Sequence, residues 1–221
     1  MAASREDNRK AIEQHIYNVA IRLFCEIGYK KTTLIDIAAE ADVSTRTLHK
    51  YYPTKESILR RFCRENIMEL KDYVNGLDST IPLYDRVIDT MIKDYSLMFG
   101  LFDPGHILHY TRDPDGILNR FEVENILEME SIYCTLLKRE QLAAGMEPDR
   151  NIQRCASTIA SIYRHCNDIY RFCNVGRFNN MTLRAFYNEH LSVVWDSLYK
   201  TLMSGQAAPL DSELRKLYPG A

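Results

Sequence analysis

The sequence predicts an all-α protein, in which a small three-helix head is followed by a larger α-helical body. Three observations support this fold class. Apolar residues recur every three or four positions along most of the chain, which is the period of an amphipathic helix. Serine, threonine and aspartate stand just before several of these segments, where their side chains can cap a helix. No segment of weight shows the alternating pattern of a β-strand.

The chain length and charge suit one or two domains. We divide the 221 residues into a head at 9–53, a linker helix at 54–76, a body at 77–205 and a tail at 206–221. The net charge of −2 argues against a protein that coats nucleic acid with its whole surface. The first 60 residues nevertheless hold ten Lys and Arg against eight Asp and Glu. This asymmetry favours a nucleic-acid-binding head on a neutral-to-acidic body.

The first two helices of the head have clear ends in the sequence. The first is expected from Arg9 to Gly28, because apolar residues line one face and glycine commonly follows a helix C-terminus. The residues before Arg9 are polar and are expected to be loose. The second helix begins after Thr33, whose side chain can cap it while Asp36 completes a capping box.

A third helix follows a tight turn and carries a basic face. Ser44 is the expected N-cap, after a turn at residues 41–43, which is the arrangement of a helix-turn-helix. One side of this helix presents Thr45, Arg46, His49 and Lys50. No acidic residue occurs from residue 43 to residue 55. Such a face can lie in the major groove of DNA, and an ordinary solvated face is the alternative.

A fourth helix is predicted to begin after Thr54. Lys55 then lies in its first turn, where the helix dipole disfavours a cation. A DNA phosphate beside the ammonium would resolve this conflict. A free surface lysine is the alternative, because the penalty is small for an exposed side chain.

Seven short groups of head residues agree in order and spacing with a known family. They are Gly28-Tyr29, Thr32-Thr33, Asp36-Ile37-Ala38, Ala41-Asp42-Val43-Ser44, Thr47-Leu48, Tyr51-Tyr52 and Lys55-Glu56. These residues resemble the N-terminal domain of the tetracycline-repressor (TetR) family of transcriptional regulators, over roughly the first quarter of the chain. The sequence departs from the family at Asp42, where Gly is usual, at His49, where Tyr is usual, and at Tyr52, where Phe is usual. Aspartate tolerates the left-handed backbone conformation better than most residues, so the turn can survive.

The resemblance implies a ligand-responsive repressor that binds a palindromic double-stranded DNA operator as a homodimer. We expect Arg46, with Thr45 and Thr47, to contact bases, since arginine to guanine is the commonest specific contact. The expected phosphate contacts are Thr33, Ser44, His49, Lys50, Tyr51 and Lys55. A helix-turn-helix scaffold that binds a protein partner and has lost DNA binding is the alternative, which the departures at Asp42 and His49 leave open.

Four long helices are expected in the body, at about 83–102, 117–144, 149–173 and 181–203. The last two resemble the pair that forms the dimer bundle in this family, so the resemblance implies a homodimer through them. It also implies a small-molecule effector, whose structure the sequence does not specify. Candidate pocket walls for an apolar or aromatic effector are Tyr95, Phe99, Phe102, Met129 and Tyr133, and the alternative for each is a core position.

Other classes of protein find little support in the sequence. It has no nucleotide-binding, nucleophile-elbow or zincin motif, so we expect no enzyme and assign no catalytic residue. His106 and His109 lack the spacing of a metal site, and we expect neither a metal nor a cofactor. The six cysteines form no CxxC pair, and neither a leader nor a long apolar run is present. We therefore expect reduced thiols in a cytoplasmic protein with no membrane partner.

Overall fold

The computed structural model describes residues 2–99, 117–173 and 182–205, with side chains for 5–98, 124–170 and 182–205. Within these ranges the chain forms eight α-helices and no β-strand, which confirms the predicted all-α class. They are α1 (Ala2–Glu26), α2 (Leu34–Glu40), α3 (Thr45–Tyr51), α4 (Lys55–Gly76), α5 (Leu83–Phe99), α6 (Ile117–Ala143), α7 (Asn151–Cys173) and α8 (Leu183–Met203). None of the helices in the described part of the chain has the length and apolar character needed to cross a lipid bilayer.

α1 begins at Ala2, so the expectation that the residues before Arg9 are loose was wrong. Residues 2–8 contain neither proline nor glycine, so nothing in them stops the helix from continuing toward the N-terminus. The Arg9 guanidinium also donates to the Glu6 carboxylate one turn earlier, at 3.0 Å from Nε and 2.8 Å from Nη2. Such pairs support an exposed helix. At the other end, Gly28 has a φ of 90°, as expected for a residue that follows a helix.

The head is built on one apolar cluster shared by α1, α2, α3 and the first half of α4. Its fully buried members include Ile16, Phe24, Ile37, Leu48 and Ile58. Burying a side chain of this size contributes about 1.5–3 kcal/mol relative to leaving it exposed. α2 and α3 have only seven residues each and would not be stable as isolated helices. Packing against α1 and α4 therefore holds them in place.

α4 contributes to both apolar clusters of the molecule. The head cluster contains Ile58, Leu59 and Phe62, and the body cluster contains Ile67, Leu70 and Val74. Between these two sets, Asn66 donates from Nδ2 to the Leu97 carbonyl of α5 at 3.0 Å. Met98, at the end of α5, packs against the head cluster. The predicted domain boundaries stay a prediction. α4 packs in both cores, so no break in the apolar packing marks where the head ends.

The body encloses its own core between α5, α6, α7, α8 and the second half of α4. α6 packs along α7, and α7 packs along α8. Met129 and Tyr133 of α6 lie inside this core with 1% and 0% of their surface exposed. α7 begins at Asn151 and not at residue 149, because the Asp149 carboxylate accepts the Asn151 amide at 2.9 Å and marks the position before the helix. The candidate wall Phe102, the histidines His106 and His109, and the tail at 206–221 lie outside the described residues.

Candidate DNA-binding surface

α2 begins with the capping box that the sequence predicts. The Thr33 hydroxyl accepts the Asp36 amide at 3.2 Å, and the Asp36 carboxylate accepts the Thr33 amide at 2.8 Å. The same carboxylate accepts the Thr33 hydroxyl proton at 2.7 Å, and these bonds from Thr33 hold the pKa of Asp36 below its usual value. The Thr33 hydroxyl is therefore engaged inside the cap, and its contact with a phosphate stays a prediction.

The turn between α2 and α3 contains one departure from the family pattern. Asp42 has a φ of 51°, in the left-handed region that favours glycine. Aspartate adopts this conformation at a lower cost than most other residues. The turn is closed by the Val43 amide, which donates to the Ala38 carbonyl at 3.0 Å. The prediction that Asp42 permits the turn is confirmed.

α3 is held at its start and along its inner face. The Ser44 hydroxyl accepts the Thr47 amide at 3.0 Å, as predicted for an N-cap. Leu48 is fully buried in the head cluster, and only 3% of Tyr52 is exposed. Tyr51 is half-buried at the edge of the same cluster. The side of α3 opposite Leu48 therefore faces solvent.

Four exposed side chains form what we call the α3 outer face: Thr45, Arg46, His49 and Lys50. Arg46 and Lys50 make this face positive, and it contains no acidic residue, which suits a contact with DNA. Nδ1 of His49 lies 3.2 Å from the Pro53 carbonyl oxygen, so this nitrogen is the donor. The neutral ring then presents Nε2 as an acceptor. Only a protonated His49 can donate to a phosphate from this position.

Two of the predicted contact residues share a hydrogen bond with each other. The hydroxyl oxygens of Ser44 and Thr47 are 2.8 Å apart. One hydroxyl donates to the other, so a single proton of this pair is left for a phosphate or a base. Thr47 is also half-buried. The structure therefore places these two residues at the start of α3, apart from the α3 outer face.

Lys55 has hydrogen-bond partners within the head that the sequence analysis did not foresee. Its ammonium donates to the carbonyl oxygens of Tyr29 at 2.6 Å and Thr32 at 2.9 Å. It also lies 4.2 Å from the centre of the Tyr29 ring, and burial lowers the pKa of Lys55. The loop between α1 and α2 thus supplies the negative ends of two peptide dipoles. These carbonyls resolve the conflict with the helix dipole within the chain, and a contact of Lys55 with a DNA phosphate stays a prediction.

The sequence reasoning missed Arg61 of α4. Its guanidinium donates to the Tyr52 hydroxyl at 2.6 Å, to the Glu65 carboxylate at 2.7 Å and to the Gln14 side chain. Its central carbon lies 4.2 Å from the centre of the Tyr17 ring. The tyrosine at position 52, where the resemblance expects phenylalanine, was the available signal, because a buried hydroxyl requires a hydrogen-bond partner.

The body contains a buried carboxylate that the sequence reasoning also missed. Asp94 of α5 is fully buried, its Oδ2 accepts the Tyr163 hydroxyl of α7, and burial raises its pKa to about 6. Its Oδ1 and the Tyr133 hydroxyl have no hydrogen-bond partner among the residues that the structure describes. Helical spacing from Val87 through Met91 places residue 94 on the buried side of α5. That pattern was the signal in the sequence.

The predicted effector walls fall into two groups. Met129 and Tyr133 are core residues of the body. Tyr95 is half-buried, with its ring edge-on to Tyr170 and 5.6 Å between the ring centres. Phe99 is the last residue of α5, and its side chain lies outside the described set. An effector site at these positions stays a prediction.

The fold and the α3 outer face define a helix-turn-helix protein of the DNA-binding class. The family described as bacterial regulatory proteins, tetR family, matches residues 16–62, which extend from α1 into α4. Over these residues the head matches the TetR family of bacterial regulatory proteins, and the curated relatives that resemble the chain are transcriptional regulators.

Two curated relatives align with part of the chain. The transcriptional regulator MftR of Mycobacterium tuberculosis is 28% identical over 116 residues, which are 52% of this chain and 56% of MftR. The HTH-type transcriptional regulator HbdR of Aromatoleum sp. is 36% identical over 67 residues, which are 30% of this chain and 26% of HbdR. The chain thus spans about half of one relative and about a quarter of the other, and what these proteins regulate is not transferred to it.

Solved structures share the fold over most of the chain. FadR of Thermus thermophilus, a TetR family repressor in complex with lauroyl-CoA, is 20% identical with a TM-score of 0.61, covering 90% of this chain and 99% of FadR. FadR of Bacillus subtilis in complex with stearoyl-CoA is 18% identical with a TM-score of 0.56, covering 88% of this chain and 99% of that protein. At this level of identity the likeness establishes the fold alone.

Proposed function

We propose that this protein is a homodimeric repressor that binds a palindromic DNA operator and releases it when a small molecule binds to the body. The observation that carries this proposal is the α3 outer face, which is exposed and positive. The opposite side of the same helix is buried in the head core. A helix held in this way can enter the major groove and present its side chains to base edges.

Arg46 is the residue that we assign to base recognition, with Thr45 beside it. The Arg46 side chain is exposed at the start of α3, where recognition helices contact bases. Lys50 and His49 follow one turn later and are assigned to phosphates. Arg46→Ala is expected to weaken operator binding by about 1–3 kcal/mol and to relax the base preference. If Arg46→Ala keeps the base preference of the wild-type protein, Arg46 does not contact bases.

The operator is found by selecting bound sequences from a random duplex pool at two salt concentrations. A palindromic motif whose affinity falls steeply with salt would support a dimeric DNA reader, because released counterions accompany phosphate contacts. Absence of enrichment at both salt concentrations, with folded and dimeric protein, would refute the proposal and favour the protein-partner alternative. Asp42→Gly and His49→Tyr would then test whether the departures from the family pattern abolished DNA binding.

The homodimer is proposed to form through α7 and α8. Support comes from Val193 of α8, which is 82% exposed although it is apolar. Leu191, two residues away, is fully buried in the body core and is unsuitable for testing an interface. Val193→Glu is therefore expected to give monomers in light scattering, whereas Leu142→Glu, at an exposed apolar site on α6, is the matched control. A dimeric Val193→Glu protein would place the interface elsewhere.

The effector is proposed to bind in the body and to act on the head through α4. α4 is joined to α6 by ion pairs between Lys71 and Glu128 at 2.6 Å and between Arg60 and Glu124 at 3.1 Å. These exposed pairs contribute little stability, but they place α6 directly against the helix that enters the head. An effector that binds the released conformation better by a few kcal/mol is sufficient to shift the equilibrium.

Lauroyl-CoA is the first probe for the effector, because the FadR of Thermus thermophilus is in complex with it. Release of the operator by lauroyl-CoA, but not by coenzyme A alone, would support an acyl-CoA effector. Absence of release by lauroyl-CoA and by stearoyl-CoA would argue against an acyl-CoA effector and favour the apolar or aromatic class that the sequence suggests. Neither result changes the outcome of the selection from the random duplex pool, because that experiment contains no effector.

A further inference from the structure

Tyr52 connects the end of α3 to the rest of the head by its backbone and by its hydroxyl. Its amide donates to the Leu48 carbonyl at 2.8 Å and so closes the last turn of α3. Its ring lies in the head core, and its hydroxyl accepts from Nη1 of Arg61 at 2.6 Å. A phenylalanine would fill the core equally well but could not accept this bond. The hydroxyl therefore has a role that packing alone does not explain.

The guanidinium of Arg61 contacts three helices at once. On α4 it donates from Nε to Glu65 at 2.7 Å. On α1 it donates from Nη2 to Gln14 and lies over the ring of Tyr17, with 4.2 Å from its carbon to the ring centre. At the end of α3 it holds the hydroxyl of Tyr52. Only arginine has donors spread over a rigid plane that can satisfy these partners together.

The partners of Arg61 are also connected to one another. Glu65 also acts on α1, because burial and then this carboxylate raise the pKa of Tyr17. The Glu13 carboxylate of α1 lies 3.8 Å from Nη1 of Arg61. It adds a second negative charge beside the guanidinium, after that of Glu65 on α4. The Arg61 side chain is 24% exposed, so this network is partly shielded from water and from salt. Such a connected set holds its members in one arrangement.

We propose that Arg61 is a positioning residue, which sets the orientation of the DNA-reading helix by holding the Tyr52 hydroxyl against α1 and α4. The proposal rests on the proposed DNA-binding function. α4 enters the head from the body, so a shift of α4 can reach the end of α3 through Arg61 as well as through the shared apolar cluster. Loss of the Tyr52 hydroxyl leaves the α3 outer face chemically intact but loosens its orientation.

The test compares Tyr52→Phe, Arg61→Lys and Arg61→Met with Arg64→Met. Arg64 is an exposed arginine on the same helix, so this control removes the same charge without the network. We expect Tyr52→Phe to weaken operator binding about tenfold and to leave binding to random duplex unchanged. The double variant of Tyr52→Phe with Arg61→Met should lose no more selectivity than Arg61→Met alone, because Arg61→Met already removes the bond to the Tyr52 hydroxyl. Arg61→Lys should not restore the selectivity for the operator, since an ammonium cannot bridge these partners.

Hydrogen exchange without DNA separates this proposal from the proposed function. We expect the amides of Leu48 and Tyr52 to exchange several-fold faster in Tyr52→Phe, with α1 and body amides unchanged. If the wild-type protein selects no DNA sequence but this local acceleration occurs, the proposed function fails and the positioning role stands. Uniform acceleration over the whole head, or an unchanged operator-to-random ratio in a DNA-binding protein, would overturn the proposal. Tyr52→Phe decides the question even if Arg61→Met does not fold.

Discussion

Replacing Lys55 by methionine tests whether this residue holds the head together or contacts DNA. The substitution keeps an unbranched apolar stem but removes the ammonium, which donates to the carbonyls of Tyr29 and Thr32. A hydrogen bond to a charged group contributes about 1.5–3 kcal/mol. Lys55 is only half-buried, so water replaces part of each lost bond. We therefore expect the free energy of unfolding of the head to fall by about 1–3 kcal/mol.

The assay must separate the head from the body, and the chain provides a means to do so. Its single tryptophan, Trp195, packs against the body core, so tryptophan fluorescence follows unfolding of the body. Far-ultraviolet circular dichroism follows both parts. In a urea titration of Lys55→Met, the circular dichroism transition is expected to shift to lower urea or to split, whereas the fluorescence transition stays in place.

The salt dependence of DNA binding gives the result that would refute this reasoning. Removing one phosphate contact reduces the slope of log affinity against log salt by about 0.9. We expect this reduction for Lys50→Met, whose side chain is exposed on the α3 outer face, with stability changed by less than about 0.5 kcal/mol. We expect no such reduction for Lys55→Met. A reduced slope together with an unchanged head stability in Lys55→Met would show that Lys55 contacts phosphate.

Three further predictions follow from strained or buried groups. Burial raises the pKa of Asp94 from an ordinary value near 3.8 to about 6, so the folded protein favours the protonated carboxyl. The free energy of unfolding is therefore highest below about pH 4 and falls as the pH rises to 6. Asp94→Asn should remove this dependence and raise stability at pH 7.5 by about 3 kcal/mol at most, measured by urea titration followed at the tryptophan. Asp42→Ala should destabilise the head by about 1–2 kcal/mol and Asp42→Gly should not, because residue 42 has a positive φ; equal effects would show that the turn rearranges. Burial raises the pKa of Cys63 and Cys166 to about 12, so both should react with iodoacetamide later than Cys25, and early alkylation of Cys166 in folded protein would contradict its burial.

The head was largely predictable because its decisive interactions are local. Thr33 and Asp36 cap α2 across three residues, and Ser44 caps α3 across the same spacing. The left-handed turn depends on the conformation of the single residue Asp42. Spacing rules describe such interactions directly. The α3 outer face followed from them, since a capped helix with a buried Leu48 has its other side exposed.

The start of α1 and the body were less predictable for different reasons. A polar segment before Arg9 carries no apolar stripe, so periodicity gave no indication that the helix begins at Ala2. In the body, helical spacing marked the apolar sides but did not distinguish pocket walls from core. Met129 and Tyr133 belong to the core because α4, α5 and α7 pack around them. That outcome depends on helices far apart in the sequence.

The sequence by itself determined the all-α fold, the caps of the helix-turn-helix and the positive side of α3. Only the tertiary structure decided the partners of the long and buried polar side chains. The carbonyls that accept from Lys55 are 23 and 26 residues away, Gln14 is 47 residues from Arg61, and Tyr163 is 69 residues from Asp94. The physical reason is one of range. A cap is formed within one helical turn, whereas the partner of a long or buried polar group depends on which distant segments folding brings within a few ångströms of it.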